Sequence, residues 1–369
     1  MGLGIQIMVN NTVNEKLTGQ VSSVEVHEIM DQPTQYKINF MIDICDKDIA
    51  KSLHDVTDPH AILGILVAVK DELVCLVNGP VTKQKVNLQH GGAGSSLQVE
   101  GTDDTHLMDK KTTSNKPSTD SDSTIVRTIF SHHSLTSDIE DTGDSTHHED
   151  NHSLSQIDSD FELVKQLAGR NGYHFWITYY EKGKPTGHFR SRNLAQTPQN
   201  KLIVNLENNN IDQLNIEWDI DRPTKIHVKQ VNLNNKTIIE EDVTLENEEI
   251  LGEVSLKDLA KDKDKAIQLT FHVDDVGAMI KRGLAALKEA HWFITARCQT
   301  SLHKLCDDIV RPHTIVTVDG AGSRHSGKYY VTGVNHTIDA ANHKMDVTLA
   351  RNGWGKEGSA DENLLAKIF

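Results

Sequence analysis

Cysteine is scarce in this chain: Cys45, Cys75, Cys298 and Cys306 are the only four in 369 residues, and no two form a C-x-x-C pair. That excludes a disulfide framework or a zinc-ribbon site as the source of stability and suits a reducing compartment. Cationic residues are also few, with 38 Lys and Arg against 53 Asp and Glu, a formal charge of −15. A surface of that sign repels a phosphate backbone, so DNA and RNA are not expected as partners. Long apolar runs are missing too. The longest, Ala61 to Val69, falls far short of the roughly 18 residues a membrane helix needs, and no membrane insertion is expected. The opening MGLGIQIMVNNTVNEKL lacks a basic n-region, an apolar run and a small-residue cleavage site, so no secretory signal is expected.

What the chain does have is β pattern. VSSVEVHEI, YKINFMIDI, ELVCLVNG, TKQKVNLQ and SSLQVEG are short Val-, Ile-, Leu- and Thr-rich runs separated by Asp, Pro, Asn and Gly, as antiparallel strands require. A barrel or sandwich closes such a set. KKTTSNKPSTDSDS, from Lys110 to Ser123, then marks a polar boundary.

Beyond it the period changes to helical. Ile125, Val126, Ile129 and Phe130 share a face after a Ser/Asp cap. Ser159 and Glu162 stand three apart as a capping box before Phe161, Val164, Leu167 and Ala168, and Asn171-Gly172 stops the turn. YHFWITYY reads as a strand, so residues 120–200 form a small α/β module. Strands return at IDQLNIEWDI and TKIHVKQVNL. A charged stretch after Val231 shows no clear period and is expected to be peripheral. Asp274 or Asp275 is placed to cap a helix carrying Val276, Met279, Ile280, Leu284 and Leu287, and HWFITARC and HTIVTVDG resume β. The fold class is therefore mainly β with α+β character.

The stretch from His325 to Asn352 holds two long strands. Tyr329 and Val331 share a face, but the next apolar face is Val334, His336 and Ile338, so the parity changes at Gly333, as a bulge or kink makes it change. LVNGPVTKQKV and LQVEGTDD, from Leu76 to Asp104, echo YVTGVNHTIDA and MDVTLARN, from Tyr330 to Asn352, with Gly79 aligned to Gly333. An internal duplication is one reading of that echo and chance similarity between β segments the other.

Candidates for chemistry are weaker. Asp158, Asp160 and Glu162 crowd one helix start, where capping and dipole complementarity explain them better than a glycosidase pair. His132, His133, His147, His148 and His152 beside Glu149 and Asp150 are irregularly spaced, so a solvated loop is preferred. His147, His148 and His152 are the metal-ligand candidates, with no metal expected. His336 reads as a satisfied wall residue, and Ser323 and Ser326 beside His325 have no acid to complete a triad. No catalytic or cofactor-binding residue is expected.

Four stretches in order, IQIMVNNTVNEKLTGQVSSVEVHE, LVNGPVTKQKV with LQVEGTDDTHLMDK, HSLSQIDSDFELVKQLAGRNGYHFW, and SGKYYVTGVNHTID with VTLARNGW, resemble the late control D family of phage-tail baseplate hubs. They also resemble the hub portion of valine-glycine repeat G spike proteins of type VI secretion and related contractile injection systems. The resemblance implies two tube-type antiparallel β-barrels, a small α/β module and a helical insertion. On that reading residues 1–115 are the first barrel, 116–200 the α/β module, 201–240 and 290–355 the second barrel, 241–289 the insertion and 356–369 a tail. It further implies a non-enzymatic homotrimer, an inner tube protein, a separate spike protein and other baseplate proteins as partners, lumen cargo as a further one, and incorporation into a particle. Gly79, Phe161, Leu167, Tyr329, Val331, Gly333 and His336 are the residues expected to carry structure or subunit contacts. A tail-associated glycan hydrolase and a carbohydrate-binding β protein are the alternatives.

Overall fold

In a computed structural model of the chain, the described residues are 4–42, 53, 56–90, 94–112, 119–143, 156–180, 183–231, 236–261, 263–271, 273 and 276–355. The fold is mainly β, with large antiparallel sheets and a few helices. Two compact units divide the chain: Met1–Ser191 with Ser301–Ile309 and Gly333–Asp346, and Arg192–Thr300 with Val310–Thr332 and Val347–Phe369.

Alternation builds the sheet of the first unit. Its strands are β1 (Ile5–Val9), β2 (Thr12–Val13), β3 (Val21–Ile29), β4 (Gln35–Met41), β5 (Ile62–Val69), β6 (Glu72–Asn87) and β7 (Ser96–Thr102). Val24 and Val26 on β3, Tyr36, Ile38 and Phe40 on β4, and Leu97 and Val99 on β7 point to one side and are buried, while their neighbours stay half exposed. β5 is apolar on both faces and almost wholly buried. The 16-residue β6 changes partner midway: Glu72–Pro80 pairs with β5 and Val81–Asn87 with β7, and the register shifts between Val81 and Lys83. β7 pairs with β4, and β4 with β3.

The same unit holds α1 (Glu15–Thr18) and α2 (Thr105–Asp109), then α3 (Asp122–His132), β8 (Thr136–Ile139), α4 (Asp160–Asn171), β9 (His174–Tyr180) and β10 (Lys184–Arg190). β10 lies between β8, which is parallel to it, and β9, which is antiparallel. The capping signals place α4 correctly. Ser159 Oγ accepts from the Glu162 N–H at 3.3 Å, Asp160 and Glu162 stand in the first turn, and Gly172 ends the helix at φ +70°. The Ser159 hydroxyl hydrogen goes to Asp109. Val126, Phe130, Val164, Leu167, Phe175 and Phe189 form the core between helices and sheet, with Phe130 and Phe175 rings 5.5 Å apart. Leu167 is fully buried there, so Leu167→Ala is expected to cost about 3 kcal/mol. A lowered urea midpoint at unchanged m-value is the readout.

The second unit contains β11 (Asn200–Ile203), β12 (Leu214–Trp218), β13 (Lys225–Val231), β14 (Ile238–Val243), β15 (Val254–Ser255), α5 (Leu256–Ala260), β16 (Ala266–Thr270), α6 (Val276–Ala290), β17 (Ile294–Ser301) and β18 (Ile315–Asp319). It ends with α7 (Gly322–His325), β19 (Gly327–Asp339), β20 (His343–Arg351) and β21 (Gly353–Trp354). Both long strands pass between the units, β19 at Gly333 and β20 at Val347, and β17 passes after Thr300.

β13 pairs with β14 and β16 in a three-stranded sheet, and α6 lies on it through Met279 and Leu287 against Ile226, Val228 and Val243. The charged stretch after Val231 is therefore built into a sheet with its own core, where no period was legible. In β14 only Val243 is buried, and Glu240, Glu241 and Asp242 in IIEEDV interrupt the apolar pattern. Asp274 and Asp275, the expected caps of α6, lie outside the described residues.

Candidate functional site

The two long strands carry most of the residues singled out by sequence. In β19, Gly327–Tyr330 pairs with β18, and Gly333–Asp339 pairs with β3. Tyr329, Tyr330 and Val331 are all buried, so the first half is covered on both faces. From Val334 the strand alternates, with Val334, His336 and Ile338 buried and Thr337 and Asp339 exposed. The change falls at Gly333, where the strand passes from the second unit to the first.

Gly79 sits at the matching point of β6, beside the handover from β5 to β7. A Cβ there would lie 2.0 Å from the Thr102 carbonyl oxygen and 2.8 Å from Asp103 Cα, so backbone approaches backbone where only glycine fits. The Tyr36 hydroxyl donates to the Gly79 carbonyl at 3.0 Å. The echo extends to the following strands: Asp103 in the first and Arg351 in the second are both buried at the same offset. Asp103 accepts from the Thr34 N–H at 2.8 Å and the Thr105 N–H at 3.1 Å. Arg351 donates to the Leu251 carbonyl at 2.7 Å, and its guanidinium lies 5.2 Å from the Tyr329 ring. Tyr329 donates to the His325 carbonyl at 2.8 Å.

His336 is fully buried with two partners that sequence did not supply. Its Nε2 is 3.0 Å from Glu28 Oε2 on β3, and its Nδ1 is 2.9 Å from His343 Nε2 on β20. A carboxylate at Glu28 accepts a hydrogen from Nε2 in this contact. Burial, and secondarily the charge of His336, push His343 down to about 3, which keeps it neutral. The three side chains tie together three neighbouring strands.

A pocket of about 480 Å3 opens in the first unit, with His27, Gln35, Lys37, Glu100, His106 and Phe161 among its walls. Lys37 of its wall pairs with Glu25 at 3.0 Å and Glu100 with Lys83 at 3.1 Å, and Asp109 accepts from the Ser159 hydroxyl. Two strand edges are open among the described pairings. The second half of β6 pairs only with β7 and exposes every residue from Thr82 to Asn87; β12, in the other unit, pairs only with β17 and exposes Asn215, Glu217 and Trp218.

The remaining candidates do not converge. Asp160 binds His133 Nε2 at 2.8 Å and Gln156 at 2.7 Å, and Asp158 binds Gln166 at 3.0 Å, which is helix-start chemistry. Ser326 Oγ accepts from the Ala321 N–H at 3.1 Å within a turn. His147, His148 and His152 lie outside the described residues, and among the described residues no three or more metal-ligating side chains gather. Phe161 packs in the α/β core, and its ring carries Lys165 Nζ at 5.8 Å. Among the described residues no helix is long and apolar enough to cross a membrane.

The fold is similar to that of tail proteins and of a type VI secretion component. A tail protein from Neisseria meningitidis MC58 has the same fold at 12% identity and TM-score 0.64, covering 94% of this chain and 96% of the other. The 43 kDa tail protein of prophage MuSo2 from Shewanella oneidensis is 13% identical at TM-score 0.64, covering 95% and 98%. A type VI secretion component of E. coli, described as similar to bacteriophage T4 tail proteins, is 13% identical at TM-score 0.58, covering 94% and 76%. The chain belongs to the family of the Alg8 N-terminal domain, whose model matches residues 3–340. No curated protein matches the sequence.

Proposed function

We propose that the chain is a structural baseplate hub of a contractile phage tail or injection system, a homotrimeric ring that adapts a hexameric inner tube to a trimeric spike. The observation that carries this reading is the fold, shared over nearly its whole length with two tail proteins that are themselves covered almost end to end. The paired handovers at Gly79 and Gly333 support a duplicated architecture. Two related barrels per chain, taken three times, give a ring of pseudo-sixfold symmetry that matches both neighbours. The open edges of β6 and β12 offer unpaired backbone groups for contacts between copies. Barrel boundaries at residues 1–115, and at 201–240 with 290–355 apart from β13 and β14, which stand in the separate sheet with β16, the late control D kinship, a separate spike chain and transit of cargo through the lumen belong to the same proposal.

Native mass spectrometry of the purified chain, alone and mixed with its neighbouring spike protein, tests it. A trimer in either sample that images as a hollow ring is the expected result. A monomer in both samples overturns the ring. Hydrolysis of peptidoglycan by the chain, lost in Glu162→Gln, turns the reading to the enzyme alternative.

A further inference from the structure

The solvent side of the β8–β10–β9 sheet carries an arrangement that the hub reading does not use. Cross-strand register sets Trp176, His188 and Asp138 in one row and Thr178, Thr186 and Thr136 in the next. His188 Nε2 is 2.7 Å from Thr178 Oγ1, and His188 Nδ1 is 2.7 Å from Asp138 Oδ2. Arg190 Nη1 holds the same carboxylate at 3.1 and 3.3 Å. The Trp176 indole stacks on the imidazole, with centroids 4.7 Å apart and planes at 11°. His188 is 8% exposed, while Thr178 and Thr186 are half exposed and reachable from solvent.

Chemistry fixes the direction of this chain of hydrogen bonds. Ionised Asp138 only accepts, so Nδ1 carries the imidazole hydrogen. In the neutral ring Nε2 is then an acceptor, and the Thr178 hydroxyl donates to it. Burial, with the nearby Arg190 charge acting the same way, lowers the His188 pKa and favours the neutral ring, although Asp138 opposes it. The hydrogen bond from His188 and the charge of Arg190 outweigh burial and hold Asp138 below the usual carboxylate range. Hydroxyl, imidazole base and orienting carboxylate thus stand in the order that activates a nucleophile.

We propose that Asp138, His188 and Thr178 form a relay that makes the Thr178 hydroxyl an acceptor of acyl groups from activated esters. Thr178 Oγ bonds to the ester carbonyl carbon as its proton passes to His188 Nε2. The bond from that carbon to the leaving oxygen then breaks, the proton on Nε2 goes to the leaving alkoxide or aryloxide, and Thr178 keeps the acyl group as an ester. Thr186, directly opposite Thr178 and with no hydrogen-bond partner for its hydroxyl among the described residues, is placed to donate that hydroxyl to the carbonyl oxygen.

The full chain is treated with p-nitrophenyl acetate and the adduct located by peptide mass spectrometry. The expected result is one acetyl group on Thr178, released by hydroxylamine, absent in Thr178→Val and retained in Thr178→Ser. His188→Gln and Asp138→Asn, checked for folding by circular dichroism, are expected to label roughly 100-fold more slowly. The wild-type rate is expected to fall on acidification as the imidazole takes a proton. Because His188 is buried, the half-exposed Asp138 variant decides the matter if His188→Gln does not fold. Labelling confined to lysines or the N-terminus, or equal Thr178 labelling in wild type and Asp138→Asn, overturns the relay.

Discussion

Gly79→Ala is expected to destabilise the first unit by about 3 kcal/mol, whereas Gly333→Ala is expected to change stability by less than about 1 kcal/mol. The two glycines align in sequence and stand at equivalent handovers, so sequence alone would treat them alike. Their surroundings differ. A methyl group at Gly79 meets the Thr102 carbonyl oxygen at 2.0 Å and the Asp103 Cα and carbonyl carbon at 2.8 and 2.9 Å. All three are backbone atoms of the neighbouring chain segment, so relief requires β6 and β7 to separate where the Tyr36 hydroxyl fastens the Gly79 carbonyl. At Gly333 the nearest atom to an added Cβ is the Glu28 carbonyl oxygen at 3.4 Å, an ordinary contact, and the φ there is not left-handed. Urea unfolding of both variants provides the check. A Gly333 variant as damaged as the Gly79 variant would sink the assignment of the effect to backbone approach.

This contrast marks what was legible in the sequence. Features written within a few residues came through: the Ser159 cap, the Gly172 stop, and the alternation of β3 and β4, whereas at Gly333 the strand passes from two covered faces to one, in place of the expected parity change. Each depends on local geometry, which a short window contains. The stretch after Val231 was illegible because charge on the exposed face of β14 drowns a single buried Val243, and its apolar partners come from β13 and α6. His336 is buried against Glu28, which lies 308 residues away, and no spacing rule joins them. The Asp138–His188–Thr178 chain escaped for the same reason. Its members come from three strands and meet only through register, although the alternation in YHFWITYY already put Trp176, Thr178 and Tyr180 on one face.

Acid behaviour separates the half-buried Asp104 from the buried His343, two groups of opposite sign. Burial, reinforced by the Asp103 charge, raises Asp104 from 3.8 to about 6, against a lowering hydrogen bond from Tyr179. A raised carboxylate binds its proton more readily in the folded state. Its contribution to stability is fully present below pH 3.8 and is lost as pH rises through about 6, a difference of about 3 kcal/mol. His343 is displaced the other way, from 6.5 to about 3, so its contribution is present above pH 6.5 and is lost as pH falls toward 3. In the wild type the two trends oppose each other between pH 7 and 4. Removing either group exposes the other: Asp104→Asn is expected to be up to about 3 kcal/mol more stable than wild type at pH 7, a gain that fades by pH 4. His343→Gln is expected to lose stability at pH 7, where its bond to His336 is missed, and to recover relative to wild type on acidification. Urea midpoints across this range read both slopes. If the two variants drift from wild type in the same direction as pH falls, the burial of at least one of these groups has been misjudged, because their linkage terms carry opposite signs wherever both titrate.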